Sequence, residues 1–260
     1  MKRTFITTLL FCLISITTVF AAQTGCPEHF ANGQAPDFIT QNLATKTKEL
    51  CNSGFAVLHS AITKTPVYAS EHLTRERLMQ GKGLKRQSKF HPDDRLSHAD
   101  RAELSDYAHS EFDRSHIAPS GDMFDIQSQH ETFALSNMVP QLSSLNRGVW
   151  NQIESGVRRI AKSKGELYVV TGPLFRGSDV KQIGRVMIPS ATFKALFDPS
   201  RQEAGAYVVE NVEGAKAQVI TIPQLETLSS INVFPSISNQ IKGNGMKLPV
   251  PKARKRRGKR

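Results

Sequence analysis

The chain has 260 residues, of which 39% are hydrophobic and 22% charged, and its formal net charge is +11. This length is enough for one large domain with a sizeable core, and no segment beyond residue 20 is apolar for long enough to span a membrane, which excludes a polytopic membrane protein. Two of the positive charges lie at Lys2 and Arg3 and seven lie in the last nine residues, which leaves a formal charge of +2 on the rest. The basic character is therefore mainly a property of the C-terminus and does not by itself indicate a nucleic-acid groove.

The first residues have the pattern of a secretory signal. Lys2 and Arg3 precede an apolar stretch over residues 5–20, and Ala21 supplies a small residue for cleavage. We therefore predict a signal peptide over residues 1–21, no stable membrane insertion after its removal, and a periplasmic or secreted protein.

Removal of this leader would leave Cys26 and Cys51 as the only cysteines. An isolated pair in an exported protein predicts one disulfide. The alternative is two unpaired buried thiols. Neither cysteine lies near the candidate chemistry, so the sequence does not favour a thiol nucleophile.

Strand patterns follow a polar, cysteine-bearing segment over residues 22–54. Short runs rich in β-branched and aromatic residues, bounded by turn residues, predict strands. These candidate strands are 55–60, 65–70, 133–138, 166–171, 186–189 and 206–209. Residues 71–79 fit either a continuing strand or a short helix, and residues 193–197 fit a helical turn.

One helix is predicted over residues 145–161. Asn146, Trp150, Glu154 and Arg158 recur at four-residue spacing, so a single stripe of the helix combines apolar and functional side chains. The chain becomes rich in Gly, Pro and Lys after Ser236, and residues 241–260 are predicted to form a disordered basic tail.

Residues 113–123 are the most informative stretch. They place His116, a base that titrates near neutral pH, beside Arg114 and two carboxylates. The predicted helix then offers oxygen ligands and a cation on one face. Together the two segments indicate hydrolysis of a phosphodiester at a metal ion.

Four motifs in order carry a resemblance to a known family. They are Asp113-Arg114-Ser115-His116, Ser136-Asn137-Met138-Val139-Pro140-Gln141, Leu145-Asn146-Arg147-Gly148-Val149-Trp150 and Val170-Thr171-Gly172-Pro173. The chain resembles the DNA/RNA non-specific endonucleases of the ββα-metal superfamily, which include secreted bacterial nucleases and mitochondrial endonuclease G.

This resemblance implies a fold and a reaction. We expect an α+β, ββα-metal nuclease fold over residues 55–240, with a central antiparallel sheet flanked by helices. We expect cleavage of DNA and RNA with little sequence preference, leaving 5′-phosphate ends, with Mg²⁺ as cofactor and Mn²⁺ as a substitute. Recognition would be through phosphates and would weaken steeply with salt. A homodimer is left open.

The resemblance also implies roles for individual residues. His116 would be the general base, and Asn146 the direct metal ligand, with Glu154 holding metal-bound water. Arg114 and Arg158 would contact the scissile phosphate, and Asn137 would orient the active-site loop. Alternatively, Asn146 caps the helix and Arg158 pairs with Glu154 on its surface. Arg86, in an upstream loop, is a weaker match for a further phosphate contact.

Ser115 departs from the family pattern, which has glycine at this position. If the backbone φ angle there were positive, serine would add about 1 kcal/mol or more of strain and displace His116. This departure motivates one rival function, a nucleic-acid-binding protein whose catalysis has weakened. The other rival is an RNA-preferring nuclease. The basic tail is expected to bind nucleic acid, anionic lipid or another anionic surface, or a partner, to act as a sorting element, or to be merely solvated.

Overall fold

The computed structural model describes residues 24–86 and 89–251. The predicted signal peptide and residues 252–260 lie outside this part of the chain. Within it, no helix combines the length and the apolar character needed to cross a membrane.

The described residues contain thirteen strands. In chain order they are β1 (Asp37–Phe38), β2 (Thr47–Cys51), β3 (Ala56–Ser60), β4 (Thr65–Thr74), β5 (Phe112–His116), β6 (Met138–Leu142), β7 (Glu166–Leu174), β8 (Gln182–Ile183), β9 (Val186–Met187), β10 (Ala191–Asp198), β11 (Glu203–Glu210), β12 (Gln218–Ile220) and β13 (Ile231–Asn232).

The helices are mostly short. The α-helices are α1 (Arg75–Gln80), α2 (Ile126–Glu131), α3 (Ser143–Leu145), α4 (Asn151–Lys164), α5 (Ile222–Ser229) and α6 (Asn239–Gly243). A π-helical turn, Asn146–Trp150, joins α3 to α4. Single 3₁₀ turns cover Pro27–His29, Ala31–Gly33, Gln41–Ala44, Leu104–Tyr107, Ser120–Asp122 and Leu135–Asn137.

A seven-stranded antiparallel sheet forms the centre of the molecule, in the order β12-β11-β10-β7-β4-β3-β2. β7 and β10 lie inside it and are buried on both faces. Because strand side chains alternate in direction, the sheet supports two apolar layers. One contains Phe193, Leu225 and Phe234, and the other packs Trp150 and Val157 of the helical segment against β7.

β5 and β6 form a separate antiparallel pair, in register from Phe112 opposite Leu142 to His116 opposite Met138. The chain passes directly from β6 into the helical segment Ser143–Lys164. Apolar residues of the pair and its following loop, Ile117 and Val139, pack against β3 and β4. This ββα unit lies on the helix-covered face of the sheet and confirms the predicted α+β, ββα-metal fold.

Several element predictions are wrong in detail. Residues 193–197 belong to strand β10, because they are buried on both sides between β7 and β11. Residues 133–138 are not one strand, since a 3₁₀ turn precedes β6. Both readings for residues 71–79 hold in part: β4 continues to Thr74, and the Thr74 side chain then accepts a hydrogen bond from the Arg77 amide at the start of α1.

The two ends of the described chain are held by contacts. Cys26 and Cys51 form the predicted disulfide, with their Cα atoms 5.8 Å apart. Residue 241 is too early a start for the predicted disordered tail, because Met246 and Leu248 are buried in the apolar layer that contains Trp150 and Val157. The Tyr207 hydroxyl also donates to the Pro249 carbonyl at 2.9 Å. Apolar side chains spaced among Gly, Pro and Lys were enough to order this segment.

Candidate active site

A cleft of about 810 Å³ opens where β5, the loop after it and the helical segment meet. Its lining includes predicted site residues from four separate parts of the sequence. They are Arg86, Arg114, His116, Asn146, Glu154 and Arg158. The fold therefore brings together six of the seven residues to which the resemblance gave catalytic, metal-binding or phosphate-binding roles.

Asn137 is the seventh, and it is buried away from the cleft surface. Its side chain donates at 2.9 Å to the carbonyls of Ala118 and Thr132 and accepts from the Ala118 amide at 2.9 Å. These bonds tie the loop that follows His116 to the turn before β6. Asn137 thus holds the active-site loop in place and does not face the reacting groups.

His116 lies at the end of β5 in an aromatic enclosure. Its ring is 4.9 Å from that of Phe133, edge to face, and 5.7 Å from that of Phe90. Burial, together with the positive charge of Arg86, lowers the pKa of His116 to about 3. The imidazole is therefore neutral at physiological pH, with one ring nitrogen free to accept a proton. Its buried Nε2 has no hydrogen-bond partner among the described residues.

Arg86 and Arg114 flank this histidine. The guanidinium carbon of Arg114 lies 4.5 Å from the Phe90 ring centre, and that of Arg86 lies 4.7 Å from the Phe133 ring centre. Cation–π contacts hold the side chains without neutralising their charge. Both guanidinium groups line the cleft and remain available to an anion.

Asn146 begins the π-helical turn. The backbone of Gly148 departs from helical geometry there, with φ −105° and ψ −106°, and such turns often occur at functional sites. The Asn146 Nδ2 donates to Asp113 Oδ2 at 2.9 Å. Asn146 therefore lies within the helical segment and caps no helix with its side chain, so the capping alternative is wrong.

Asp113 organises this part of the cleft. Burial alone would raise the pKa of Asp113, but hydrogen bonds from Arg147, Asn146 and Ser143 hold it below its usual range. Arg147 donates to Asp113 through Nε at 2.8 Å and Nη2 at 2.7 Å. The sequence neighbour Arg114 does not pair with Asp113, since adjacent residues in a strand point to opposite faces.

Glu154 and Arg158 lie one helical turn apart but form no salt bridge with each other. Arg158 donates instead to Asp122 Oδ1 at 2.6 Å, so the surface-pair alternative is wrong. Gly121 permits this contact, because a Cβ atom there would lie 3.1 Å from Arg158 Nη1. Burial raises the pKa of Glu154 to about 7, opposed by the charge of Lys194.

Buried charged residues that were not predicted from the sequence lie beneath the cleft. Glu71 on β4 is fully buried, and burial and the negative charge of Asp122 raise its pKa well above its usual value. Lys194 on β10 is also buried, and its Nζ donates to Thr171 Oγ1 at 2.7 Å. These residues stand far from the motifs in sequence and only the sheet brings them under the site.

The cleft residues fit a hard divalent cation. Asn146 and Glu154 offer an amide and a carboxylate oxygen, the ligand types that Mg²⁺ prefers. Glu154 accepts no hydrogen bond from the described residues, so its oxygens are free for a cation or its water. A different metal site is not supported: within residues 24–86 and 89–251 the only cluster of three or more His, Cys, Asp or Glu ligands is Cys26, Glu49 and Cys51, whose sulfurs form the disulfide.

Comparisons with known proteins agree with this geometry. The family model for DNA/RNA non-specific endonucleases matches residues 34–240. The mitochondrial Nuclease 1 of Schizosaccharomyces pombe is 32% identical over 222 residues, which is 76% of this chain and 68% of that protein. The mitochondrial Nuclease EXOG of Danio rerio is 34% identical over 199 residues, which is 68% of this chain but only 58% of that protein.

A solved structure shares the fold. The crystal structure of the EndoG/EndoGI complex, which addresses the mechanism of EndoG inhibition, matches with a TM-score of 0.66 and 25% identity over 76% of this chain and 91% of that one. The fold and the cleft define a ββα-metal nuclease. The chain belongs to the DNA/RNA non-specific endonuclease family.

The comparisons overturn the predicted location. Several relatives are named as mitochondrial nucleases, among them those of S. pombe and D. rerio. The prediction of a periplasmic or secreted protein is therefore wrong. It rested on the residues of the leader alone, which carry positive and apolar character that more than one targeting route uses.

Proposed function

We propose that this protein is an endonuclease that hydrolyses phosphodiester bonds in DNA and RNA with the help of a divalent metal ion, with Mg²⁺ as the natural choice. The observation that carries the proposal is that one cleft brings together a neutral histidine, an amide and a carboxylate oxygen, and the three arginines Arg86, Arg114 and Arg158. Each component answers a separate need of the reaction: a base, a cation site and charge compensation for the phosphate.

His116 serves as general base. It accepts a proton from the attacking water as the water oxygen bonds to phosphorus and the bond from phosphorus to the 3′ oxygen breaks. Burial is the main cause of the low pKa of His116, and the positive charge of Arg86 lowers it further. A phosphodiester anion in the cleft offsets the charge of Arg86, so substrate binding raises the pKa of His116 in part.

The arginines bind and orient the substrate. Arg114 and Arg86 stand beside His116, and Arg158 approaches from the helix, held by Asp122. Guanidinium groups donate paired hydrogen bonds to phosphate oxygens. Because these contacts involve the backbone of the nucleic acid and not the base edges, they favour substrates of either sugar type and any sequence.

Asn146 would hold the metal directly, and Glu154 would hold its water ligands. When bound, the metal supplies Lewis-acid stabilisation of the charge that develops on the phosphate and on the leaving oxygen. Mn²⁺, which accepts the same oxygen ligands, is the expected substitute.

The alternative function, a nucleic-acid-binding protein whose catalysis has weakened, loses its main support. It rested on strain at Ser115, and Ser115 is not among the residues of this chain with positive φ. An RNA preference has no specific observation in its favour, so we propose cleavage of both nucleic acids.

The test is digestion of plasmid DNA and of RNA by the full-length protein in Mg²⁺ and in EDTA. We expect cleavage of both substrates in Mg²⁺ only, and a loss of at least 100-fold in His116→Ala, since a positioned general base contributes about 10²–10⁴-fold. His98→Ala is the matched control, because His98 is 77% exposed and lies outside the cleft. Cleavage that persists in EDTA, or in His116→Ala at the rate of the control, would contradict the proposal.

The basic tail extends this proposal. The described chain ends at Pro251 in a second groove lined also by Arg159 and Lys216, and this groove adjoins the cleft through Arg147 and Asn151, which line both. Seven of the nine following residues are Lys or Arg. We infer that the tail contacts phosphates of the nucleic acid where the substrate extends beyond the cleft.

A further inference from the structure

Ser115 occupies an unusual position beneath the cleft. It lies on β5 between two cleft-lining residues, Arg114 and His116, but its own side chain is only 1% exposed. Its Oγ lies 2.9 Å from Gln141 Oε1 and 3.0 Å from Asn146 Oδ1. The side chain is therefore aimed at the residue best suited to bind a metal.

The orientation of the Asn146 carboxamide follows from its other neighbour. The Asn146 Nδ2 donates to Asp113 Oδ2 at 2.9 Å, so the nitrogen end of the carboxamide faces Asp113. The oxygen end is then the one that faces Ser115. Asp113 cannot readily turn away, because Arg147 and Ser143 also donate to it.

Asn146 Oδ1 can accept a hydrogen bond from Ser115 and still present a lone pair to the cleft. A carbonyl oxygen has two lone pairs, and the single hydroxyl hydrogen of Ser115, which Asn146 Oδ1 shares with Gln141 Oε1, is directed at one of them. The second lone pair is left for the cleft, where Asn146 is partly exposed. A glycine at position 115, as in the family pattern, offers no hydroxyl, so the amide oxygen would lose this support.

We propose that Ser115 is a positioning residue for the metal site: its hydroxyl fixes the Asn146 carboxamide with Oδ1 presented to a divalent cation. This inference rests on the proposed function, since it assigns Asn146 as the ligand. It reverses the expectation from the sequence, in which serine at this position was a liability. Partners that orient a metal ligand typically contribute about 10–100-fold to metal affinity.

The experiment measures Mg²⁺ and Mn²⁺ binding to the full-length protein by isothermal titration calorimetry, without nucleic acid. Ser115→Ala and Ser115→Gly should each raise the dissociation constant for the metal about 10-fold relative to wild type. The glycine variant restores the family's own residue, so the fold is expected to accept it. Dissociation constants within twofold of wild type in both variants would overturn the inference.

A matched control separates positioning from a merely structural role. Ser70→Ala also removes a buried hydroxyl, which donates to the His29 carbonyl at 2.7 Å in the layer on the other face of the sheet. We expect it to lower the melting temperature of the metal-free protein while leaving metal affinity unchanged. A similar loss of metal affinity in Ser70→Ala would show that the Ser115 effect is general destabilisation, and would also overturn the inference.

Failure of this inference can be told from failure of the proposed function. If wild type neither binds Mg²⁺ nor cleaves nucleic acid, both are wrong. If wild type binds and cleaves but the Ser115 variants bind equally well, only the role of Ser115 is wrong.

Discussion

At the scale of single residues, the cleft depends on side chains that hold other side chains. Arg158 is 21% exposed, while its partner Asp122 is 2% exposed. A buried carboxylate bound to a cleft arginine fixes the direction of the guanidinium before any phosphate arrives. We therefore predict that Asp122 positions Arg158 for the phosphate, a role that its place in the Pro119-Ser120-Gly121-Asp122 turn did not reveal.

Asp122→Asn tests this assignment. The amide keeps the shape of the side chain but removes its charge, so Arg158 loses its ion pair and keeps only a hydrogen bond to a neutral acceptor. We expect the free energy of unfolding to fall by about 1–3 kcal/mol and kcat on plasmid DNA to fall about 10-fold. Steady-state kinetics and urea unfolding measure the two effects. Asp179→Asn, the same change at an exposed loop position, should alter neither; equal kinetics in the two variants would contradict the assignment.

At the scale of elements, the site is a junction held by contacts between strands, loops and helix. His59 on β3 illustrates this: its Nε2 donates to the carbonyl of Asp100 at 3.0 Å, and its Nδ1 is buried with no partner in the described chain. Burial lowers the pKa of His59, despite the opposing hydrogen bond to Asp100. The ring is therefore neutral in the folded protein and joins β3 to the loop before the Leu104–Tyr107 turn.

This state of His59 predicts acid sensitivity. The folded pKa lies below the unfolded value of about 6.5, so the unfolded chain binds one more proton once the pH falls below about 6.5. Stability should then decrease toward acid, by at most about 1.4 kcal/mol per pH unit for each such histidine. Urea unfolding at pH 7 and pH 5 should show a smaller loss in His59→Gln than in wild type. An equal or larger loss in the variant would contradict this account.

The π-helical turn Asn146–Trp150 is a second feature at the scale of elements that the sequence did not predict. The spacing of Asn146, Trp150 and Glu154 predicted a regular helix, and the helix does extend from residue 143 to residue 164. The four-residue spacing does not reveal the widened turn at Gly148, at the end of which Trp150 is fully buried. The contact between Asn146 and Asp113 of β5 is likewise a tertiary one that local propensity does not predict.

At the scale of the whole molecule, charge and shape act together. The cleft and the second groove share Arg147 and Asn151, and the described chain ends in the second groove. A nucleic acid longer than the cleft therefore meets a surface that continues toward the basic C-terminus.

Deletion of residues 252–260 should weaken DNA binding and leave kcat at saturation unchanged. The tail carries seven positive charges, and each phosphate contact adds about 0.9 to the slope of log affinity against log salt. Fluorescence anisotropy with His116→Ala protein at 50–200 mM salt measures this slope, which should be shallower without the tail. A tail of equal length with its Lys and Arg residues replaced by Gln is the matched control and should behave like the deletion. Unchanged affinity in both would assign the tail to a solvated or sorting role.

The motifs and the family resemblance were sufficient to place the chain in its family and to name six of the residues that line the cleft, and the cysteine count was sufficient to pair Cys26 with Cys51. The six residues share one cleft because the proposed chemistry restricts residue type: few side chains can act as a base, offer an oxygen ligand or carry a guanidinium. The strands around residues 56–60, 65–74 and 166–174 were also predictable, because burial in the sheet selects short apolar runs.

Only the tertiary structure decided which charges meet. Asp113 binds Arg147 and not Arg114, Arg158 binds Asp122 and not Glu154, and Ser115 supports Asn146 where strain was expected. The sheet likewise brings Glu71 and Lys194 beneath the cleft from distant strands. The reason is physical: residue type and spacing determine what a side chain can do, whereas its partner depends on the direction of the backbone and on which segments pack against it.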